Sequence, residues 1–596
     1  MKLPKTSWNN FTPAKISKKT ISKRWRKIEK GSLRHAHKFI ISRLDRLASV
    51  SRHITSWLLL VILLISVSMI QLFNHNQAYI TTAGDVGGSY SEGVMGPLET
   101  LNPIFASSSA ELSAAKLMFS SLYTYDLSGH IKGDLAEKIS INDKETEYTV
   151  KIRPDAKWSD GQKITANDVV FTAKLLADPD TKSKISGWSS IKSEKIDDNT
   201  VKFTLTSPYA PFIHALTFPI LPEHVLGNIK PEMLHSHDFG TSPVTSGPFN
   251  FRMMQNINSD GSKKIIYLLA NKEYYRGTPK LERFQLYAYS SLDDVAKGLR
   301  IKEITATPEL DFDKQSKNIQ LNHTSSTHKI NNGVYALFNN NSQYLSKRSI
   351  RQALSLAVDM HQLRRDLNLE KLALNGPILD KFISQPASKT KYDVKKAREL
   401  LDKEGWTIVN DVRQKDQQKL TLKLLVLRGE VYEKIANKLA EYWRKELKVE
   451  IEVKVVNPGD VSQNVLQSIL QPRNFDILIY EFQLGGDPDM YAYWHSSQAN
   501  PNGLNFANYN NAVADDALAS GRLKVSDKQR ISRYDKFTTI WQADFPAFAI
   551  YQTKIDYIHL NSVNALSRSG VLVSPADRFY DVIYWTVNKN SVYKTP

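Results

Sequence analysis

"QKLTLKLLVL", Gln418–Leu427, opens the part of the chain whose order settles the fold. It reads as a strand. It is followed by a helical stretch with Ile435, Leu439 and Trp443 at i, i+4 spacing, and then by the strands "KVEIEVKVV", Lys448–Val456, and "FDILIYEF", Phe475–Phe482. Strand, helix, strand and a further apolar strand is the order that a βαβ unit in a parallel sheet produces. In open α/β sheets ligands sit beyond the carboxyl ends of the strands. There the apolar run breaks into "QLGGDPDMYAYWHSS", Gln483–Ser497, with two adjacent glycines, two carboxylates two residues apart, and aromatics beside a histidine.

This loop can be read in more than one way. Gly485 and Gly486 let the backbone turn tightly and approach a ligand, while Phe482, Tyr491, Tyr493 and Trp494 can supply apolar walls. Asp487 and Asp489 suit turn and helix-capping roles, since Asp ahead of a helical run accepts from free backbone N–H groups. Direct ligand contact is the competing reading. His495 has no second ligand at convincing spacing, so packing is expected rather than a metal site. Trp494 and Tyr491, three residues apart, also fit a core stripe.

The preceding half mixes strands and helices. "YTVKIRPDAKWSDGQKI", Tyr148–Ile164, reads as an alternating strand with a turn at Ser159–Gly161. Thr165 and Asp168 form a capping-box pattern ahead of a helix with Val169, Val170, Ala173, Leu176 and Ala177 on one stripe, stopped by Pro179. "NTVKFTLT", Asn199–Thr206, predicts a second strand, and the polar stretch Lys314–Gly333 marks a surface segment or a crossover.

Composition narrows the function classes. With 596 residues, 41% of them hydrophobic, the chain can build several cores. It has no cysteine, which excludes disulfides, thiolate metal sites, a cysteine nucleophile and a lipidated N-terminal cysteine. Of the net charge of +18, +13 falls in residues 1–55, where 15 Lys/Arg face only Glu29 and Asp45. The remainder is nearly neutral, so no nucleic-acid partner is expected. Directly after the basic segment stands "WLLLVILLISVSMIQLF", Trp57–Phe73, which with Ile54–Ser56 is long enough to cross a bilayer. Basic residues on its N-terminal side place that end in the cytoplasm and the rest outside. A signal peptide cut near Thr81-Thr82-Ala83 is the alternative, but more than fifty preceding residues exceed an ordinary n-region. No phosphate loop, dinucleotide fingerprint, H-E-x-x-H or G-x-S-x-G pattern is found, and no enzymatic activity is expected.

A family resemblance gathers these pieces. "LNPIF" (Leu101–Phe105), "YTVKIRPDAKWSDGQKITANDVVFT" (Tyr148–Thr172), "SGPFNF" (Ser246–Phe251), "VYALFNNNSQYLSKRSIRQALSLAVD" (Val334–Asp359), "GLNFANYNNAVADDALASGR" (Gly503–Arg522) and "FPAFAIYQ" (Phe545–Gln552) resemble, in order, segments of the family 5 extracellular solute-binding proteins. That resemblance implies an α/β, two-lobed periplasmic-binding-protein-like clamp that closes on a ligand and delivers it to an ABC permease, with ATPase on separate chains.

The expected organisation is a basic cytoplasmic tail (1–55), a transmembrane helix (56–73), a linker (74–83), lobe I (84–332), lobe II (333–548) and a return to lobe I (549–596). A peptide is the ligand the resemblance implies first. A nickel chelate, an oligosaccharide or a non-transport surface role are the alternatives. The implied ligand-side residues are Glu481, Phe482, Gln483, Gly485 and Asp487, with Asn505, Phe506, Tyr509 and Asn102 taken from motif matches. Many relatives place an aspartate a few residues before the "DP" to pair with a peptide ammonium. Here Gln483 and Leu484 stand there, and Glu481 is the nearest acid. No cofactor or metal is implied, and the protein is expected to act as a membrane-tethered monomer.

Overall fold

The computed structural model describes residues 30–31, 34, 38 and 44–593, apart from 259–260, 458–464, 524–525, 567–569 and 588. Most of the expected basic tail lies outside the described residues. The chain divides into two compact units, Met1–Ala83 with Ser591–Pro596, and Gly84–Asn590.

In the first unit a helix, α1, spans Leu44–Tyr79. Its segment His53–Asn74, 22 residues long, is apolar enough to cross a membrane. As a helix it measures roughly 33 Å, matching a bilayer core. The helix continues past Phe73 through positions expected as linker. No Gly or Pro stands between Asn74 and Ala83 to stop it.

The second unit is organised by an 11-stranded sheet. Its strands are β1 (Ser89–Met95), β2 (Phe249–Asn256), β3 (Lys263–Ala270), β4 (Arg283–Tyr289), β5 (Ala306–Thr307), β6 (His323–Phe338), β7 (Thr421–Leu427), β8 (Glu450–Val456), β9 (Ile477–Gln483) and β10 (Ala547–Leu560), with Val571–Leu572 beside β6. They run in the order β8-β7-β9-β6-β10-β5-β1-β4-β3-β2. Four helices matter below: α2 (Ala166–Ala177), α3 (Met360–Asp366), α4 (Glu430–Tyr442) and α5 (Asp527–Asp544).

Two lobes hang on this sheet. In the first, one core joins Tyr90 and Val94 of β1, Val150, Trp158, Val169 of α2, Phe203 and Phe284 to Phe579, Val582 and Trp585 near the C-terminus. Thr165 caps α2 as its sequence predicts: its N–H donates to Asp168 Oδ2 (2.8 Å) in a reciprocal box. The second lobe is layered. Val334, Ala336 and Phe338 of β6, with Ile477 and Ile479 of β9, pack on α4 through Leu439. The alternate residues Tyr335, Leu337, Leu478 and Phe482 pack on the other layer with Trp494, Phe537 and Trp541. Strands buried on both faces need no polar alternation, which is why these stretches read as continuous apolar runs. β7 pairs in parallel with both β8 and β9, giving the βαβ unit read from the sequence.

The polar stretch around Lys314–Gly333 becomes a crossing. β6 pairs antiparallel with β10 on both sides of an irregularity between Lys329 and Gly333. The His323–Lys329 half lies against Lys554–Leu560 and the Gly333–Leu337 half against Ala547–Gln552. At Gly333 a Cβ would stand 2.6 Å from Leu374 Cδ2, so the crossing point is too crowded for a side chain.

A fully buried ion pair ties the ends of the first lobe. Arg578 donates through Nε (2.9 Å) and Nη2 (2.5 Å) to Glu92 Oε1 on β1, and Tyr557 of β10 donates to Glu92 Oε2 (2.5 Å). Removing one partner of such a pair leaves an uncompensated buried charge. Glu92→Ala is therefore expected to lower unfolding stability by about 3–5 kcal/mol, and the paired exchange Glu92→Leu with Arg578→Met by much less. Urea unfolding of the full chain in detergent, followed by tryptophan fluorescence, reads both.

Candidate functional site

Between the lobes lies a cavity of about 500 Å³. The first lobe lines it with Lys116, Phe119, Tyr125, Trp188, His214 and Asp577, among others, and Gln483 at the end of β9 reaches it from the second. Lys116 Nζ donates to Asp577 Oδ1 (3.1 Å) and Thr124 Oγ1 (2.7 Å), so the wall carries one paired cation and one paired anion. Asp577 is the only acid among the described lining residues. Phe119, Trp188, Phe218 and the half-exposed Leu112 supply apolar surface. Apolar walls with a few convergent polar groups, in this range of volume, are the ordinary form of a small-molecule site.

The loop after β9 has a different occupation from ligand contact. Gly485 sits in the left-handed region at φ 67°, and its carbonyl accepts from Asn331 Nδ2 (2.7 Å) on β6. Gly486 is held against the first lobe: a Cβ there would lie 2.4 Å from Tyr125 Cε1. Asp487 accepts from Arg530 Nη2 of α5 at 2.8 and 3.0 Å, with His214 Nε2 of the first lobe 3.8 Å away. Asp489 accepts from Tyr209 OH (3.0 Å) of the first lobe and Arg522 Nε (3.1 Å) of its own. The Arg522 guanidinium lies over the rings of Tyr209 and Tyr491 at 4.7 and 4.4 Å, and its carbonyl accepts from Ala210 N–H (2.8 Å). The two carboxylates also make the turn contacts expected of them, accepting from Asp489 N–H and Tyr491 N–H. The loop thus latches one lobe to the other.

Other residues singled out in the sequence stay away from the cavity. Glu481 accepts from Tyr432 OH of α4, Asn332 Nδ2 (2.7 Å) and Thr553 Oγ1 (3.4 Å), binding α4 to both crossing strands beside a 310 Å³ cavity that shares Gln483 with the interlobe one. Phe482 is buried and stacks on Tyr493 at 4.2 Å. Asn505 is fully buried and spans His495 O and Tyr509 O through Nδ2, with its Oδ1 accepting from Tyr509 N–H. Phe506 and Tyr509 are core, the latter donating to Asp544 (2.8 Å). Asn102 is buried in the turn before Ile104. His495 stacks on Tyr491 at 4.0 Å, and no group of metal-ligating side chains occurs among the described residues. Of the nine expected ligand-side residues, Gln483 is the one brought to the cavity.

Tyr125, Tyr209, His214, Arg522 and Arg530 carry the latch and were not singled out in the sequence. Tyr209 and Asp489 are 280 positions apart, so no local pattern could join them.

Sequence comparison decides the family. The family described as "Bacterial extracellular solute-binding proteins, family 5 Middle" matches residues 130–503. The chain belongs to this family. Among its family 5 relatives, the oligopeptide-binding protein AppA of Bacillus subtilis is 27% identical over 526 residues, covering 84% of this chain and 92% of AppA. The structure of that AppA in complex with a nonapeptide superposes with a TM-score of 0.68 at 25% identity, over 84% of this chain and 99% of AppA. NikZ of Campylobacter jejuni in complex with Ni(L-His) has a TM-score of 0.70 at 23% identity, over 84% of this chain and 99% of NikZ, and shares the fold. Family 5 members are solute-binding proteins, and the two-lobed α/β clamp is common to them.

Two outcomes follow from the latch of this family 5 clamp. Gly486→Ala drives a methyl group into Tyr125 and is expected to shift the lobes toward an open state, with Tyr125→Ala restoring closure. Single-molecule FRET between dyes on the two lobes reads this directly. Closure also depends on pH. His214, whose Nδ1 faces Tyr125 OH at 2.8 Å, is held below the ordinary imidazole value by burial, against the opposing pull of Asp487. An opened cleft returns it toward about 6.5, so the open form binds more protons just below that pH. The closed fraction should therefore fall as pH drops through about 6.5. His214→Gln should flatten that step.

Proposed function

We propose that the protein is a membrane-anchored receptor that binds a short peptide between its lobes and hands it to an ABC permease. The observation that carries this reading is the 500 Å³ interlobe cavity with Gln483 in its lining, on a clamp related to oligopeptide-binding AppA. Extended peptides are held by repeated main-chain hydrogen bonds, with side chains in roomy pockets. The Gln483 side-chain amide and the Lys116–Asp577 pair are the polar groups that line this space for such contacts. Glu481 is engaged by three neighbours, and Asp577, the acid that lines the interlobe cavity, is engaged by Lys116 and Ser574. The other expected contacts, from Phe482, Gly485, Asp487 and the Asn505–Tyr509 segment, act at one remove by shaping and closing the cleft.

The clamp takes lobe I from 84–332 and the return 549–596, and lobe II from 333–548. α1 serves as the anchor, with its basic N-terminal flank in the cytoplasm and the clamp outside as a monomer. Tethering raises the local concentration of receptor at the permease, so a modest affinity between them suffices. A second reading, a small anionic chelate, draws on the basic lining from Lys116 and Lys184.

Native mass spectra of the protein purified from its membrane, before and after denaturation, discriminate these readings. A ladder of released masses spaced by amino-acid residues is the expected result. One discrete non-peptide mass would replace the peptide reading with the chelate. Peptides from that ladder, added back at 100 times their dissociation constant, should stabilise the protein by about 2.7 kcal/mol. Membrane fractionation of a C-terminally tagged chain tests the anchor: a released form beginning near Gly84 would overturn it.

A further inference from the structure

A second cavity, of about 430 Å³, is built from the second lobe and the adjoining start of β10, and shares no lining residue with the interlobe one. α3, the segment after it, the end of α5 and the start of β10 enclose it. Trp541, Phe545 and Phe548 give it apolar walls, and Arg364 of α3 lines it.

Arg364 is 6% exposed, and each of its partners is neutral. Nε donates to Ile550 O (2.7 Å), Nη1 to Asn375 Oδ1 (3.1 Å), and Nη2 to Leu374 O (2.5 Å) and Ala549 O (3.3 Å). Four of its five N–H groups are used, and one on Nη1 remains. The acids that share the cavity are engaged elsewhere. Asp359 accepts from Gln362 N–H (3.0 Å), and Glu370 lies 3.5 Å from Arg365. Burial alone pushes the Arg364 guanidinium down to about 10. Three other buried arginines of this lobe are also held by carbonyls, but none lines a cavity described above: Arg351, where the charge of Asp544 opposes desolvation, Arg413, which pairs with Asp402, and Arg473, which burial likewise lowers. A buried cation without a counterion is costly unless something supplies the opposite charge. The cavity beside Arg364 is where that charge can enter. Asn375, whose oxygen faces Arg364, has its Nδ2 left to donate, and Lys389 lines the same space without an ion pair among the described residues.

We propose that this cavity is a binding site, separate from the cleft, for a small organic monocarboxylate with an aromatic or branched aliphatic body. The carboxylate takes the remaining N–H of Arg364, with Asn375 and Lys389 as further donors, and the body packs on Trp541, Phe545 and Phe548. The nearby Asp359 and Glu370 set the charge: they repel a dianion such as phosphate more than a monocarboxylate. The site does not rest on the peptide reading of the cleft.

The test is isothermal titration of the full chain in detergent with phenylacetate, with isovalerate, and with phenylacetamide as the neutral isostere. The expected result is 1:1 binding of at least one carboxylate and none of the amide. Arg364→Met should weaken that binding by at least about thirtyfold, the cost of losing one partner of a buried charged contact. Because Arg364 also holds main-chain carbonyls, its variant can lose the fold. Ala373→Trp, which fills the cavity from its exposed rim and leaves those bonds alone, should then abolish binding. Gln483→Ala, in the cleft, should leave it unchanged. The proposal is overturned if neither carboxylate binds, if the amide binds equally, or if Gln483→Ala abolishes binding while Ala373→Trp does not. Failure of the peptide reading, seen in native mass spectra, would leave these outcomes untouched.

Discussion

The antiparallel pairing of β6 with β10 is the constraint on which the rest depends. The chain passes from one lobe to the other along β6 and returns along β10, and the two strands are hydrogen-bonded on both sides of the irregularity at Lys329–Gly333. A ladder is stiff in its own plane, and an interruption is where it bends and twists. Around that interruption the second lobe is pinned by side chains. Glu481 reaches Asn332 and Thr553 on the two crossing strands, and Asn331 holds the carbonyl of Gly485. The geometry of the cleft is therefore set by a few polar contacts next to the hinge, with apolar cores filling each lobe.

Those cores and the cleft obey different rules. Within each lobe, burial of alternate apolar residues on both faces of the sheet decides packing, and substitutions are felt through volume. Across the cleft, the joining groups are Tyr209, His214 and Tyr125 against Asp487, Asp489 and Gly486, polar or small. Contacts of that kind exchange readily with water, since each is worth little net free energy. They can hold a closed state without making it permanent, which a receptor that must release its ligand requires.

The loop "GGDPD" illustrates how far a motif carries. Its residue types announce a turn, a close backbone approach and capping carboxylates, and each of these is present. What approaches Gly486 is Tyr125 of the opposite lobe, and what engages the carboxylates is Arg522, Arg530 and Tyr209. A carboxylate aimed at a ligand and one aimed at a neighbouring lobe have the same local sequence. Asn505, Phe506 and Tyr509 were similarly visible as a motif, and it is a packing motif: an asparagine side chain satisfying main-chain groups around a core turn.

The sequence by itself determined the apolar span of α1, the Thr165 cap of α2, the parallel unit of β7, β8 and β9, and membership in a two-lobed family, because each rests on residues close in the chain or on periodicity within one element. Only the tertiary structure decided that Lys314–Gly333 leads into a crossing strand, that Gln483 alone of the expected contacts reaches the interlobe cavity, and that Arg364 is buried beside a void with neutral hydrogen-bond partners only. Those facts arise from groups far apart in sequence, such as Tyr209 and Asp489, 280 positions apart. Their meeting is set by how the lobes pack, and the period and propensity of a single stretch carry no record of it.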